Sequence, residues 1–590
     1  MEQRRGQEVI LQALCEYYQR KAADPESGIA PEGSEWKALP FIIVIDADGG
    51  FVTIEDTREG EGKSRRARLF LVPCAEKRTV GVKANLLWDN VEYALGANPR
   101  GRSDVAMRHQ SFLQRLQAQL PERSADHVVH ALLTFLEGKP LDRIEESPSV
   151  TSTWNEALET NANVTFRIDG SVDSTLCETF RRRILPRAGG TTSGELCLAS
   201  GAAGPIARIH PAIKGVRDAQ PSGASLVSFN LAAFESFGRT QNFNAPISEL
   251  ATFAYTTALN CLLSKDSKNR VQVGDATTVF WSDRVSTLEN QFAALFTMAP
   301  KDDPDRDILA VQSLYKSLDT GASIAESQTR FYVLGLAPNA ARIAVRFWHH
   351  GTIAEFSQRI RQHFDDLDIA RDPKDTGRLA LFWLLVEIAP QGKVENVPPN
   401  LAGDLVRSVL TGTPYPVTLL QQTIRRIRAE REVTRTKAAI LKAMLNRDSR
   451  IHSRQQMEIT VALDPTNVNP GYRLGRLFAV LEKIQEDAQP GINATIRDRF
   501  YGAASSSPVT VFPQLLKLKN HHLAKLEHPA FRAAHEKRLT EIIGGLSADM
   551  PAHLAMEDQA RFAIGYYHQR QALFTKSTSA EPSPIQGITP

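Results

Sequence analysis

Apolar residues recur every three or four positions from Ile10 to Ala22, which predicts an amphipathic helix. Three continuous or alternating β-type runs follow: Phe41–Ile45, 51–54 and 68–73. The first two are joined by Asp46-Ala47-Asp48-Gly49-Gly50, a turn composition. Helical spacing returns over 104–119 and 123–136, then a strand over 164–168 and a short helix over 175–185. Ser225 to Asn230 reads as a strand, and Pro246 suits the first turn of a helix running to Leu262. Strands fit 279–281, 331–334 and 341–348, and period-two alternation in the last places Arg342 and Arg346 on one face.

After about residue 400 helical periodicity takes over: 417–445, 472–486, 512–526, 529–544 and 556–574. Breakers such as Pro465, Pro470 and Pro490-Gly491 separate these runs, the pattern of an antiparallel bundle. The expected fold class is therefore α+β. A mixed α/β region covers 1–395, with a subdomain boundary near 150–190, and a helical bundle covers 396–575. The Ser/Thr/Pro-rich stretch 576–590 reads as a disordered tail.

At 590 residues the chain exceeds what one core usually supports. The five cysteines are scattered and form no Cys-x-x-Cys pair, which argues for a reducing cytoplasm and against a cysteine zinc site. No apolar run approaches the ~20 residues needed to span a bilayer. Net charge is only +3, so the distribution of cations carries more information than their sum. They cluster at Lys63, Arg65 and Arg66, at Arg181–Arg183, and along 425–454, where Arg425, Arg426, Arg428 and Arg435 face few acids.

Candidate chemistry is sparse. Gly60-Glu61-Gly62-Lys63-Ser64 lacks the first glycine of a P-loop and leads into a β-run, so it reads as a basic hairpin tip. His127 and His130 have no third ligand, and nothing forms a catalytic triad or a carboxylate cluster. The expectation is a binding protein without cofactor or metal, not an enzyme.

Two polar loops stand out. Lys77, Arg78, Thr79, Lys83 and Asn85 mix cations with an amide after a strand. Their cations suit phosphates and the amide suits a base edge, or the loop is simply solvated. Gly238 to Ser248 holds Arg239, Gln241, Asn242 and Asn244, whose amides either cap turns or read adenine; Gln241 and Asn242 are the stronger candidates for DNA, and Asn244 for structure.

Several ordered segments resemble one family, the large subunit of the subtype I-C CRISPR surveillance complex (Cascade). They include Cys197-Leu198-Ala199-Ser200-Gly201, Ile209-His210-Pro211, Gln241-Asn242-Phe243-Asn244-Ala245-Pro246, Phe331-Tyr332-Val333-Leu334-Gly335 and Gly565-Tyr566-Tyr567-His568-Gln569-Arg570. The resemblance implies a non-catalytic cytoplasmic subunit that recognises a T-rich protospacer-adjacent motif in duplex DNA, helps open it and supports the R-loop. Its implied partners are the backbone, crRNA-end-binding and small subunits, target DNA and a helicase-nuclease, with no membrane. It also implies separate production of the bundle as a small subunit from an internal start such as Met457 or Met444. On loop chemistry, Lys77, Arg78, Thr79, Lys83, Asn85, Gln241 and Asn242 are then the motif-binding candidates. Lys63, Arg65, Arg66, Arg239, Arg425, Arg426, Arg428 and Arg435 are candidates for the DNA backbone or displaced strand. The alternatives are a nucleic-acid-processing enzyme with a dispersed site and a protein or RNA assembly scaffold.

Overall fold

A computed structural model describes residues 9–574 except 63–64, 77, 79–80, 121, 123–124, 172–174, 185–193, 296–327, 372–379, 399, 454–457 and 548. The expected tail and the start at Met457 lie outside the described residues. The architecture is α+β, as expected, and the chain forms two compact units. One holds Val9–Pro211 and Val227–Cys261; the other holds Ala212–Leu226 and the chain from Leu262 onward.

In the first unit, helix α1 (Ile10–Ala22) buries Ala13, Leu14, Tyr17 and Tyr18. Strands β1 (Ser34–Ala38), β2 (Phe41–Ile45), β3 (Phe51–Asp56), β4 (Arg58–Glu59), β5 (Arg66–Ala67), β6 (Leu69–Pro73) and β7 (Trp88–Asn90) follow. After helices α2 (Val91–Ala94), α3 (Val105–Gln119), α4 (His127–Glu137), α5 (Pro140–Glu145) and α6 (Thr151–Thr160) comes β8 (Asn163–Ile168). The main sheet has the order β3-β2-β8-β7, with β2 and β8 parallel. Every residue of β2 is buried, as a central strand covered on both faces requires. Phe112, Phe135 and Phe166 meet in the core. Helix α7 (Leu176–Ile184), the short β9 (Glu195–Leu196) and β10 (Ala203–Gly204), and α8 (Glu249–Leu262) complete the unit.

The second unit opens with an antiparallel meander: β11 (Arg270–Val273), β12 (Ala276–Ser282), β13 (Arg330–Asn339) and β14 (Arg342–Thr352). Helix α9 (Thr287–Gln291) follows β12. Helix α10 (Ile353–Leu367) starts at a capping box between Thr352 and Glu355. Then come α11 (Leu381–Ile388), α12 (Leu401–Thr411), α13 (Val417–Glu430), α14 (Arg435–Ile451), α15 (Pro470–Ala488), α16 (Ile496–Ala504), α17 (Phe512–Ala524), α18 (Pro529–Gly544) and α19 (Met556–Phe574). Phe280, Phe331 and Val333 of the sheet share one continuous core with these helices. The compact units therefore do not divide at residue 395, because the bundle buries its apolar stripes against the preceding sheet. Periodicity reveals which face is apolar, not what covers it.

Three local expectations are corrected. Residues 225–230 form no strand; Ser225 makes a single bridge to Arg342. The run 417–445 is two helices, broken where Arg431 turns left-handed at φ 56°. A bulge in β14 opposite Gly335/Leu336 sets Phe347 against Gly335 and Val345 against Leu336. Arg346 is thus the extra residue, and its alternation with Arg342 is lost.

The contact between α15 and α19 explains the Gly565–Arg570 motif. A Cβ on Gly475 would overlap the carbonyl oxygen of Phe562, and one on Gly565 would overlap that of Tyr472. This approach lets the Tyr566 hydroxyl donate to Glu482 (2.6 Å) and brings His568 Nδ1 within 2.9 Å of the Tyr472 hydroxyl. The Tyr567 hydroxyl donates to Ala370 O at 2.8 Å, and Arg570 pairs with Glu486 at 2.9 Å. Every polar group named here is spent on internal packing.

Candidate nucleic-acid interface

The loop from Pro73 to Asn90 is organised around one buried carboxylate. Asp89, 1% exposed, accepts from the backbone N–H of Asn85 at 2.8 Å and of Asn90 at 2.8 Å, and from the Arg78 guanidinium. Burial pushes its carboxyl up, against the pull of Arg78 and these N–H donors. Arg78 also lies over the Tyr93 ring, 4.0 Å from its centre, and its Nε donates to Lys83 O at 2.7 Å. Leu87, buried in the same turn, holds a left-handed φ of 65°, which only a tightly determined surround tolerates.

This geometry corrects two expectations. Arg78 is not a free phosphate ligand, because Asp89 already neutralises it. Asn85 is 4% exposed and its side-chain oxygen accepts from the Glu76 N–H at 2.9 Å, so it is a loop staple that presents nothing to a base. Lys83 remains exposed, with no acidic partner among the described residues. Lys77 and Thr79 lie outside the described residues.

The second loop divides its amides in a similar way. Asn244 receives the Ser236 N–H at 3.0 Å and donates to Arg239 O (3.0 Å) and Gln241 O (2.8 Å). It is structural, as expected. Asn242 is 3% exposed, so its expected role at a base edge is corrected to a buried one: its side chain turns into the protein. Gln241 is half-buried and opens a short 3-10 turn at φ 49°. Arg239, 46% exposed at its side chain, donates to Phe243 O at 3.1 Å and approaches Glu195 at 3.8 Å. Pro246 lies before α8 rather than in its first turn; Ser248 caps that helix by accepting the Ala251 N–H at 3.2 Å. Cys197 Sγ accepts the Ser248 N–H at 3.2 Å. Burial raises this thiol, but hydrogen bonds from Ser200 and Ser248 bring it down to about 7. The Cys197–Gly201 segment thus seats α8.

Among the basic clusters, β4 and β5 pair as the expected hairpin. Arg65 is held by Asp56 at 2.6 Å, whereas Arg66 is exposed with no acidic partner among the described residues. Lys63 lies outside the described residues. On α13, Arg425 and Arg428 are three positions apart on the exposed face, free of carboxylates among the described residues. Arg426 is instead paired with Glu430, which also binds Lys437. It is half-buried and its charge is spent, so the expected strand contact there is corrected. Arg435 is half-buried at the first position of α14.

Two features escaped the sequence reading. Phe237, next to the chosen stretch, is 100% exposed. On α17 and at its C-cap, Lys517, His521 and Lys525 recur at a spacing of four and are all exposed, and no acid occurs from 512 to 526. Their spacing of four was the available signal.

Among the described residues no three His, Cys, Asp or Glu side chains gather as a metal site. No described helix is long and apolar enough to cross a membrane. The model of one protein family, described as CRISPR-associated protein (Cas_Csd1), matches residues 14–574. No curated protein matches the chain.

Proposed function

The chain belongs to the Csd1 family of CRISPR-associated proteins, and from that premise we propose that it is the non-catalytic large subunit of a crRNA-guided DNA surveillance complex. In this reading it recognises a protospacer-adjacent motif in duplex DNA, helps open the duplex, steadies the displaced strand and offers a platform to a helicase-nuclease. It works in the cytoplasm beside crRNA-bound backbone and small subunits. Base pairing with the guide supplies most sequence specificity, so the protein need read only a few base pairs and otherwise hold phosphates.

The observation that carries the reading is the unneutralised pair Arg425 and Arg428. On the same helix Arg426 is matched to Glu430, so an acidic partner was within reach of this surface. Two guanidinium groups left facing water at i, i+3 match a row of phosphates. Lys83, on a loop tied down by Arg78, and Arg66, on the paired strand β5, supply further open cations. Of the amides chosen for motif readout, Gln241 alone is not buried.

Photo-crosslinking tests the proposal. Probes at residues 428 and 241 of the assembled complex are expected to trap the displaced strand and the motif-flanking duplex, respectively. Crosslinks to guide RNA or protein alone would favour the scaffold, and metal-dependent cleavage by the isolated chain would favour an enzyme.

A further inference from the structure

Helix α18 buries one narrow seam, His535, Leu539 and Ile542. The seam runs antiparallel along α15: Glu541 meets Arg476 at 2.7 Å, and His535 meets Asp487 at 2.9 Å. Asp487 is the last residue but one of α15, which ends at Ala488 ahead of Pro490-Gly491. The apolar stripe of α18 continues past that end. Phe531 stands four positions before His535, so it lies on the same stripe one turn further out. With α15 finished, Phe531 is 60% exposed and is met edge-on by His528, ring centres 5.8 Å apart.

The elbow that leads into this helix is tied down and cationic. Arg532 closes α17 by donating to Leu523 O at 3.1 Å and to Leu526 O at 3.3 Å. Lys517 and Lys525, with His521 between them, are exposed and have no acidic partner among the described residues. From 512 to 538 the chain carries six lysines and arginines against two glutamates, so the surface beside Phe531 is strongly positive.

We propose that the α17–α18 elbow docks an acidic amphipathic helix of a protein partner, laid end to end with α15 along the α18 seam. The last turns of α15 show what that seam accepts: a buried apolar residue, Ile484, beside a carboxylate, Asp487. A helix that repeats this pattern sets its apolar stripe on Phe531 and its carboxylates opposite the two lysines. Lys517 and Lys525 are eight positions apart, about 12 Å along the axis, so acids two turns apart on the partner match them. The apolar stripe, with its spacing of four, favours a packed helix over nucleic acid, because holding phosphates needs no continued seam. Lysine adds point charges without the planar fork that suits phosphate. The inference is independent of the DNA-recognition reading.

The test uses the full-length chain and a labelled synthetic helix, one leucine stripe flanked by glutamates, followed by fluorescence anisotropy. Its scramble, of equal charge, and a single-stranded oligonucleotide are the comparison probes. The helix is expected to bind at least tenfold more tightly than its scramble. Phe531→Ser, and Lys517→Glu together with Lys525→Glu, should each weaken it at least tenfold. Lys537→Glu, on the opposite side of α18, should leave it unchanged. Phe531, Lys517 and Lys525 are exposed, so melting points equal to the parent's are expected and separate docking from folding. Equal binding of helix and scramble, or helix binding unaffected by Phe531→Ser, would overturn the proposal. So would failure of the helix to bind while the oligonucleotide binds and is lost with the same variants, which would assign the surface to nucleic acid.

Discussion

The Arg78 guanidinium stacks on the face of Tyr93, 4.0 Å from the ring centre, while its Nη2 donates to the buried Asp89. One planar cation thus welds the start of a loop to the helix that follows it, using stacking and charge at once. The consequence is a fixed frame from which Lys83 projects.

Asp89→Ala should destabilise the first unit by about 3 kcal/mol, because it strands a cation and two buried N–H groups. Arg78→Lys keeps the charge but loses the stacked fork, and should cost less than Asp89→Ala. Lys83→Ala should leave stability unchanged and weaken DNA binding. Chemical denaturation and binding measured on the same three variants check this ordering.

Asn85→Ala was expected from loop chemistry to relax motif discrimination. Its buried hydrogen bond to Glu76 reverses that expectation. The variant should lose about 1–2 kcal/mol of stability and keep its preference among motifs. Gln241→Ala should do the opposite. Competition binding with motif-varied duplexes separates the two.

Removing Arg425 and Arg428 together should weaken single-strand binding. It should also reduce the slope of log K against log salt by about 1.4, or ~0.7 for each phosphate contact. Arg426→Ala should change the slope little, since Glu430 already holds that cation. Anisotropy titrations over a range of salt concentrations give the slopes.

Acid should weaken the second unit through buried histidines. Burial, with Arg447 nearby, pulls His363 down to about 3; burial, with Lys442 nearby, pulls His568 to about 4. Folded, both stay neutral at about pH 5, whereas the unfolded chain protonates them near 6.5. Stability is therefore intact above that value and falls as pH drops toward 4, by on the order of 3 kcal/mol per histidine. Denaturation midpoints at pH 8 and 5 should differ, and less so in His568→Gln. Identical pH sensitivity of variant and parent would refute the assignment.

Gly475→Ala should cost about 3 kcal/mol, because the added carbon meets backbone on α19 and neither helix can yield without breaking the Tyr566–Glu482 contact. Thermal denaturation reads the loss directly.

Several helices were legible from spacing and flanking breakers: α1, α18 and α19 occur with the expected ends. Strands β2, β8 and β12 were legible for the same reason. What spacing did not show was partnership. The bundle and the meander have separate patterns and one shared core. A single φ of 56° at Arg431 split a run whose side chains remain helical in period. The candidate site was legible as loops and basic clusters but not residue by residue. Asn85, Asn242 and Arg426 resemble exposed polar residues in sequence, and only folded neighbours commit them inward. Phe237 was missed because an exposed aromatic is indistinguishable from a core aromatic until its surroundings are known.

Binding of the assembled complex to target duplexes that share one protospacer and differ only in the flanking motif tests the central claim most directly. The account predicts at least a tenfold affinity difference among motifs, reduced by Gln241→Ala and unchanged by Arg425→Ala with Arg428→Ala. Equal affinity for every flank, or an equal loss on every flank from both kinds of variant, would contradict it.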